Sequence, residues 1–174
     1  MPTLERTSLA EIVATARDLL EAGGTPAVTM QAVAARVGVR APSLYKRVRD
    51  RDALLELVAQ ATADDLAGRL ATSGSSLAGL GRAYRAFAHE NPEGFRLMFA
   101  SDAAAAQMAR AAESVLQAAR RAVGEERALD AARLLTAWAT GFVSMELAGA
   151  FRMGGDIELA FEYGLERLAA GIGA

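Results

Sequence analysis

Hydrophobic side chains recur every three or four positions through nearly the whole chain, which is the spacing of one face of an α-helix. The first such segment opens with Ser8-x-x-Glu11, a capping box in which each side chain can satisfy a free backbone N–H of the first turn. No segment of the sequence shows the alternation of polar and apolar residues that is typical of a β-strand. The pattern therefore predicts an all-α protein of about nine helices.

Glycine, proline and capping residues divide this pattern into separate helices. Gly38 predicts a sharp helix end, since glycine reaches the left-handed conformation at low cost. Pro42 suits the first position of a helix, and Asp50 and Asp156 are suited to cap the helices that follow them. The predicted helices cover residues 8–22, 29–37, 42–48, 50–70, 77–90, 92–99, 102–123, 125–153 and 156–172.

Residues 29–48 contain two short helices around Gly38. Ala34 is small enough to let the two helices cross closely, and Leu44 is placed to pack back onto Val33. This arrangement predicts a helix-turn-helix motif, whose second helix enters the major groove of DNA. A solvated helix face is an equally reasonable interpretation of the motif taken alone. The side chains left on the outer face are Arg40, Ala41, Ser43, Tyr45, Lys46 and Arg47.

The distribution of charge supports a polyanionic partner for this segment. The whole chain has a net charge of −2, but residues 36–51 hold six basic residues and one acid, Asp50. Residues 1–52 hold eight Lys and Arg against six Asp and Glu, whereas residues 53–174 hold eleven against fifteen. Positive charge is thus concentrated where it can face DNA.

Composition excludes several other classes of protein. There is no cysteine and one histidine, His89, which excludes a disulfide framework, a zinc–thiolate site and a site with two histidine ligands. With one histidine and no cysteine, no nucleophile–base pair is evident, so we expect neither an enzyme nor a metal or other cofactor. No apolar run approaches 18 residues, and the first residues do not have the pattern of a secretory signal. We therefore expect a cytoplasmic protein that does not associate with a membrane.

Residues 8–70 resemble the N-terminal domain of the TetR family of bacterial transcriptional regulators. The matching stretches are LLEAGG, TMQAVAARVGV, APSLYKRV and RDRDALLELV, in that order. The C-terminal part resembles one group of TetR regulatory domains through AYRAFAHENPEGFRLMF at 83–99 and GFVSMELAG at 141–149. That group often has histidine where this chain has Thr140. The resemblance implies a helix-turn-helix DNA-binding domain at 1–52, joined by a long fourth helix to a ligand-binding and dimerisation domain at 53–174.

The resemblance also implies roles for individual residues. Thr29 and Gln31 fall where the second helix meets the DNA backbone and groove edge, and Arg51 falls on a backbone-contacting position. The recognition-helix positions are Arg40, Ala41, Pro42, Ser43, Tyr45 and Lys46. Arg47 is also a DNA-binding candidate, because it lies on the outer face of the motif. Family members bind operator palindromes as homodimers, and a small molecule in the C-terminal domain releases the DNA.

Aromatic and methionine residues between positions 84 and 142 are candidates for an apolar ligand pocket, because adaptable Met and Phe side chains suit an apolar ligand. Each of them, taken alone, is more typical of an ordinary core residue. His89 could contact a ligand, but its position is more typical of an ordinary polar residue near a helix end. The ligand-binding candidates are Tyr84, Phe87, Phe95, Met98, Phe99, Met108, Trp138 and Phe142, and the dimer-interface candidates are Leu135, Met145, Gly149, Leu159 and Tyr163.

Together with these residue patterns, the resemblance implies a repressor that binds a palindromic double-stranded DNA operator as a homodimer and is released by a small apolar effector. The alternative is a small-molecule-binding or adaptor protein whose DNA-binding head has lost its specific targets. A helical enzyme is a distant third interpretation.

Overall fold

The computed structural model describes residues 8–173, and this part of the chain is all-α, as the sequence predicted. It contains nine α-helices and one short 3-10 helix. In chain order these are α1 (Leu9–Ala27), α2 (Met30–Arg36), α3 (Ala41–Leu44), α4 (Arg51–Thr72), α5 (Leu77–Glu90), α6 (Pro92–Phe99), the 3-10 helix (Asp102–Ala104), α7 (Ala105–Val123), α8 (Glu125–Leu147) and α9 (Ile157–Ile172).

The described residues form two compact units. The first takes in residues 8–63 together with Asn91–Ala106, and the second takes in Asp64–Glu90 together with residues 107–173. α6 therefore belongs spatially to the unit that contains α1–α3, although α5 and α7 on either side of it belong to the other. Within residues 8–173, no helix combines the length and the apolar character needed to cross a lipid bilayer.

The core of the first unit is built from the apolar faces of α1, α2, α3 and the first half of α4. Ile12, Leu20 and Val33 have no exposed surface, and Leu44 of α3 is buried in the same cluster. Leu97 of α6 is partly buried against this cluster. The predicted packing of Leu44 onto α2 is therefore confirmed.

The first helix is broken where the sequence predicted its end. The Ser8 side chain accepts a hydrogen bond from the Glu11 backbone N–H at 3.1 Å, as expected for a helix cap. Gly23 and Gly24 then depart from helical geometry, with φ of +68° at Gly24. The hydrogen-bonded helix nevertheless resumes and extends to Ala27, so the predicted end at Gly23 marks a kink within α1.

Two other predicted helix ends were wrong. α3 ends at Leu44 rather than near Val48, and residues 45–47 form a turn. α8 ends at Leu147 rather than at 153, because Gly149 adopts a φ of +63° and the Ala150 N–H donates back to the Met145 carbonyl oxygen at 2.9 Å. The sequence predicted a glycine-terminated helix end after residue 153, and the structure has it at Gly149.

The second unit is held together by α5, α8 and α9. Gly81 of α5 lies so close to α9 that a Cβ there would be 2.6 Å from Leu165 Cδ1. Arg85 of α5 donates to both carboxylate oxygens of Glu146 on α8, at 2.9 and 2.6 Å, and to Glu158 on α9 at 2.6 Å. A charged side chain thus joins the three helices, and it lies over the Phe161 ring at 4.9 Å.

Candidate nucleic-acid interface and regulatory half

The turn between α2 and α3 has the geometry of a helix-turn-helix. Thr29 caps α2 by accepting a hydrogen bond from the Ala32 N–H at 3.0 Å. Gly38 has a φ of +74°, and the next residue, Val39, donates its N–H to the Ala34 carbonyl oxygen at 2.9 Å. Because only glycine takes this backbone conformation readily, the sharp reversal depends on Gly38.

Most of the predicted DNA-binding side chains are exposed on one short stretch of the first unit. Tyr45 is 53% exposed. Ala41 is the one half-buried member of the recognition set, and it packs against the core. The exposed members of this stretch are Arg40, Pro42, Ser43, Tyr45, Lys46 and Arg47, and Gln31 is exposed separately on α2.

Two predicted contact residues also have structural roles. The Thr29 hydroxyl is exposed, but it is already engaged as the cap of α2. Arg51 donates from Nε to the Val28 carbonyl oxygen at 2.7 Å and from Nη2 to the Thr25 carbonyl oxygen at 2.5 Å. Arg51 therefore fixes the start of α4 to the segment before α2, and contact with DNA would be an additional role.

The start of α4 is stabilised by a second polar contact. Asp50 accepts a hydrogen bond from the Ala53 N–H at 2.8 Å, which confirms the predicted cap. This backbone hydrogen bond, together with that from Arg49, lowers the pKa of Asp50 below its ordinary value. Asp50 therefore stays ionised at the positive end of α4, although it is the one acid in the basic segment.

Two residues to which sequence reasoning gave no role stand out in the structure. Arg36 is exposed in the last turn of α2 and adds to the positive charge around α3. The charge count over residues 36–51 included it, but no motif position marked it as a contact. Glu21 accepts hydrogen bonds from the first turn of α6, and no spacing in the sequence links these two segments.

The ligand-binding candidates are divided between the two units. Phe95, Met98 and Phe99 are on α6 in the first unit, where the Phe95 and Phe99 rings are 5.2 Å apart. Phe95 and Met98 are buried, whereas Phe99 is 48% exposed. The candidates in the second unit are Tyr84, Phe87, Met108, Trp138 and Phe142.

In the second unit the structure brings some of these candidates together. Trp138 lies 5.6 Å from Phe142, and both rings contact Phe161, at 5.2 and 5.3 Å. The Tyr84 hydroxyl is 2.8 Å from Thr140 Oγ1, the position where the related domains often have histidine. Burial raises the pKa of Tyr84 to about 12, so its phenol is neutral at physiological pH.

Two cavities in the second unit are lined by other residues. One of about 430 Å³ lies between α5 and α9 and is lined by charged residues, including Arg82, Arg85 and Glu158, above Phe161. The other, of about 650 Å³, lies by the C-terminal end of α9 and includes Arg127 and Leu134.

Sequence and structure comparisons identify what this architecture resembles. Residues 12–58 match the family described as bacterial regulatory proteins, tetR family, and residues 77–168 match the tetracyclin repressor-like C-terminal domain. The chain belongs to the TetR family.

Solved structures show the same fold over nearly the whole chain. The protein SCO4313 is 28% identical, with a TM-score of 0.79 over 92% of this chain and 94% of its own. A possible TetR family transcriptional regulator from Streptomyces coelicolor A3(2) is 25% identical, with a TM-score of 0.71 over 94% and 97%. A TetR variant from Acinetobacter baumannii AYE in complex with minocycline is 23% identical, with a TM-score of 0.70 over 95% and 96%. No curated protein sequence matches the chain.

As a TetR family regulator, the chain has an N-terminal DNA-binding domain and a C-terminal ligand-binding domain. The structure places the dimer candidates of this second domain unequally. Met145, Leu159 and Tyr163 are 47%, 67% and 66% exposed. Leu135 is 2% exposed and belongs to the chain's own core, so it cannot contribute its side chain to an interface without repacking. Gly149 is exposed but lies beyond the end of α8.

Proposed function

We propose that this TetR family chain is a transcriptional repressor that binds a palindromic operator as a homodimer and is released by a small, mostly apolar effector. The exposed set of basic and polar side chains at α3 and its following turn is the observation that carries this proposal. Leu44 and Val48 anchor the stretch in the core, being 0% and 3% exposed, while Tyr45, Lys46 and Arg47 between them are exposed. A rigid frame thus presents cationic groups that can contact phosphate and base edges.

The dimer would form through α8 and α9. A single helix-turn-helix covers a half-site, so a palindromic operator requires two heads about one DNA turn or a multiple apart. One face of α8 exposes Leu134, Ala137, Gly141 and Met145 at helical spacing. Small residues in this row allow close approach of a symmetry-related helix, and Leu159 and Tyr163 supply exposed apolar surface on α9.

The effector would bind in the C-terminal domain near its buried aromatic residues. The paired hydroxyls of Tyr84 and Thr140 supply a neutral polar contact among apolar side chains, which suits a neutral or weakly polar molecule. The TetR variant from A. baumannii AYE holds minocycline, so a protein of this fold accepts a small molecule. Release of DNA requires that the effector bind the DNA-incompetent state more tightly than the competent one.

The proposal is tested by titrating the wild-type chain against labelled DNA from the region upstream of its own gene, with a scrambled duplex as competitor. Replacing Tyr45, Lys46 and Arg47 together by Ala should weaken binding by more than tenfold. Lys46→Ala alone should reduce the slope of log affinity against log salt by about one if Lys46 neutralises a phosphate. Arg152→Ala, which removes an exposed charge between α8 and α9, serves as the control.

Unchanged affinity and salt dependence in the triple variant would refute the assignment of the exposed side chains at positions 40–47 as the surface that reads DNA, called the reading surface below. If the wild-type chain binds small molecules but no DNA, the adaptor function described above is favoured instead.

A further inference from the structure

The N-terminus of α6 is capped by a carboxylate from α1 and not by its own capping residue. Glu21 Oε2 accepts the Glu93 N–H at 3.0 Å, and Glu21 Oε1 accepts the Gly94 N–H at 2.7 Å. The side chain of Asn91, the N-cap residue of α6, makes no capping hydrogen bond. Glu21, which lies 72 positions before Glu93 in the chain, thus satisfies two of the four backbone N–H groups that the start of a helix leaves without a partner.

Gly94 lies so close to Glu21 and Thr62 that a larger residue there would make these neighbours shift by a few tenths of an ångström. A Cβ on Gly94 would lie 3.0 Å from Glu21 Oε1 and 3.0 Å from Thr62 Cγ2. Thr62 is 1% exposed, and its hydroxyl is bound to the Val58 carbonyl oxygen at 2.9 Å, so it has little freedom to move away. With Leu97 packed against the core of the first unit, α6 is held there by polar and apolar contacts together.

α6 belongs to one domain by sequence and to the other unit by packing. α6 lies within residues 77–168, which match the C-terminal regulatory domain, yet it packs in the unit that carries the reading surface. A single residue, Asn91, separates α6 from α5, whereas the 3-10 helix at Asp102–Ala104 lies between α6 and α7. A displacement of α5 would therefore act on α6 through this one linking residue, and through Glu21 on α1, just before the kink at Gly23.

We infer that Glu21 is a positioning residue that couples the regulatory half of the chain to its DNA-binding head. It touches no DNA, and it acts by fixing α6 on the head through two charge-assisted hydrogen bonds. This inference rests on the proposed function, since it assigns a role in operator binding. When the contact is lost, the head samples more orientations, and a smaller fraction of dimers has both heads at the operator spacing.

The test compares Glu21→Ala with Asp18→Ala, which removes an exposed carboxylate one turn earlier on the same helix. Operator duplex is selected from a random library with the wild-type chain, so that no target sequence has to be assumed. Glu21→Ala should lower operator affinity about 5- to 150-fold, the range of ordinary coupling between sites. The salt slope should stay at its wild-type value, because no phosphate contact is removed. Asp18→Ala should leave both quantities unchanged.

Hydrogen exchange supplies a readout that does not depend on DNA. In Glu21→Ala, peptides covering residues 93–97 should exchange faster, while those covering α2 keep their wild-type protection. Glu21→Gln keeps one acceptor oxygen and should be intermediate in both measurements. Gly94→Ala perturbs the contact from the other side, since the added methyl group displaces the carboxylate, and should reproduce the loss of affinity.

Faster exchange at α6 with unchanged operator affinity would overturn the inference, as would equal effects of Glu21→Ala and Asp18→Ala. Loss of protection at α2 in Glu21→Ala would show general unfolding, and the less disruptive Glu21→Gln then decides. If Glu21→Gln exchanges faster at α6 but binds operator with wild-type affinity, the inference is overturned. A wild-type chain that selects no DNA contradicts the proposed function instead, and the exchange experiment still measures the Glu21 contact.

Discussion

Gly164 of α9 sets how closely this helix packs on α8, and replacing it by alanine gives a sharp test of that packing. A Cβ at this position would lie 2.5 Å from Trp138 Cζ2 and 3.2 Å from Cε2, well inside van der Waals contact. The indole cannot easily move away, because it is stacked on Phe161 with ring centroids 5.2 Å apart and also contacts Phe142. Either α9 or the aromatic cluster must therefore shift.

Two opposing effects determine how much Gly164→Ala changes the free energy of unfolding. Overpacking a well-filled core costs about 1–3 kcal/mol. Replacing a helical glycine by alanine contributes about 1 kcal/mol in favour of folding. Gly68→Ala isolates the second effect, since Gly68 is an exposed residue within α4 and a Cβ there would meet nothing within 4 Å. The free energies of unfolding of the two variants should therefore differ by about 1–3 kcal/mol, with Gly164→Ala the less stable.

The assay is urea unfolding at one fixed chain concentration, followed by the fluorescence of Trp138, the single tryptophan of the chain. Gly164→Ala should also change the native emission spectrum, because the perturbed ring is the fluorophore. Equal unfolding free energies for the two variants, with the wild-type emission spectrum retained in both, would refute the close packing of α9 on Trp138.

Three further predictions address the turn, the charged network and the dimer. Gly38→Ala should cost about 1–2 kcal/mol in unfolding free energy, because alanine is strained at a φ of +74°, and should reduce operator affinity; calorimetry and DNA titration measure both. The Arg85 hydrogen bonds lower the pKa of Glu146 below its ordinary value of 4.5, so its contribution to stability is present at neutral pH and is lost as the pH falls through the lowered value. Glu146→Gln should therefore flatten the acid side of a stability–pH curve, and an unchanged curve would contradict this linkage. Gly141→Arg places a charge on the exposed row of α8 where a Cβ meets nothing within 4 Å, so sedimentation should show monomers of wild-type helicity; a persistent dimer would place the interface elsewhere.

The helices were predictable because their signals are local. Ser8, Thr29, Asp50 and Asp156 act on backbone groups within three residues of themselves, and all four cap as the sequence indicated. The end of α8 was missed because several glycines follow one another there. Gly149 and Gly154 are both able to end the helix, and the packing that selects the first of them leaves no local pattern.

The reading surface was partly predictable for a similar reason. The sequence predicted that Leu44 is buried, and the residues on the other side of α3 were therefore expected to be exposed. The contacts of Glu21 and Arg51 join segments far apart in sequence, so no spacing could indicate them. Met145 and Leu135 are both apolar residues of α8, so the sequence does not distinguish them. Only the fold shows that Met145 is exposed and Leu135 is buried.

Specific polar contacts lie at the points where the regulatory helices could act on one another. Arg85 ties α5 to the C-terminal end of α8 and the N-terminal end of α9, and Glu21 ties α6, the next helix after α5, to α1. A charge-assisted hydrogen bond weakens steeply once its distance and angle depart from the optimum. A helix held by such bonds is therefore either docked or released. That favours two discrete states of the head over a continuous range, which is the behaviour that a switch between bound and free operator requires.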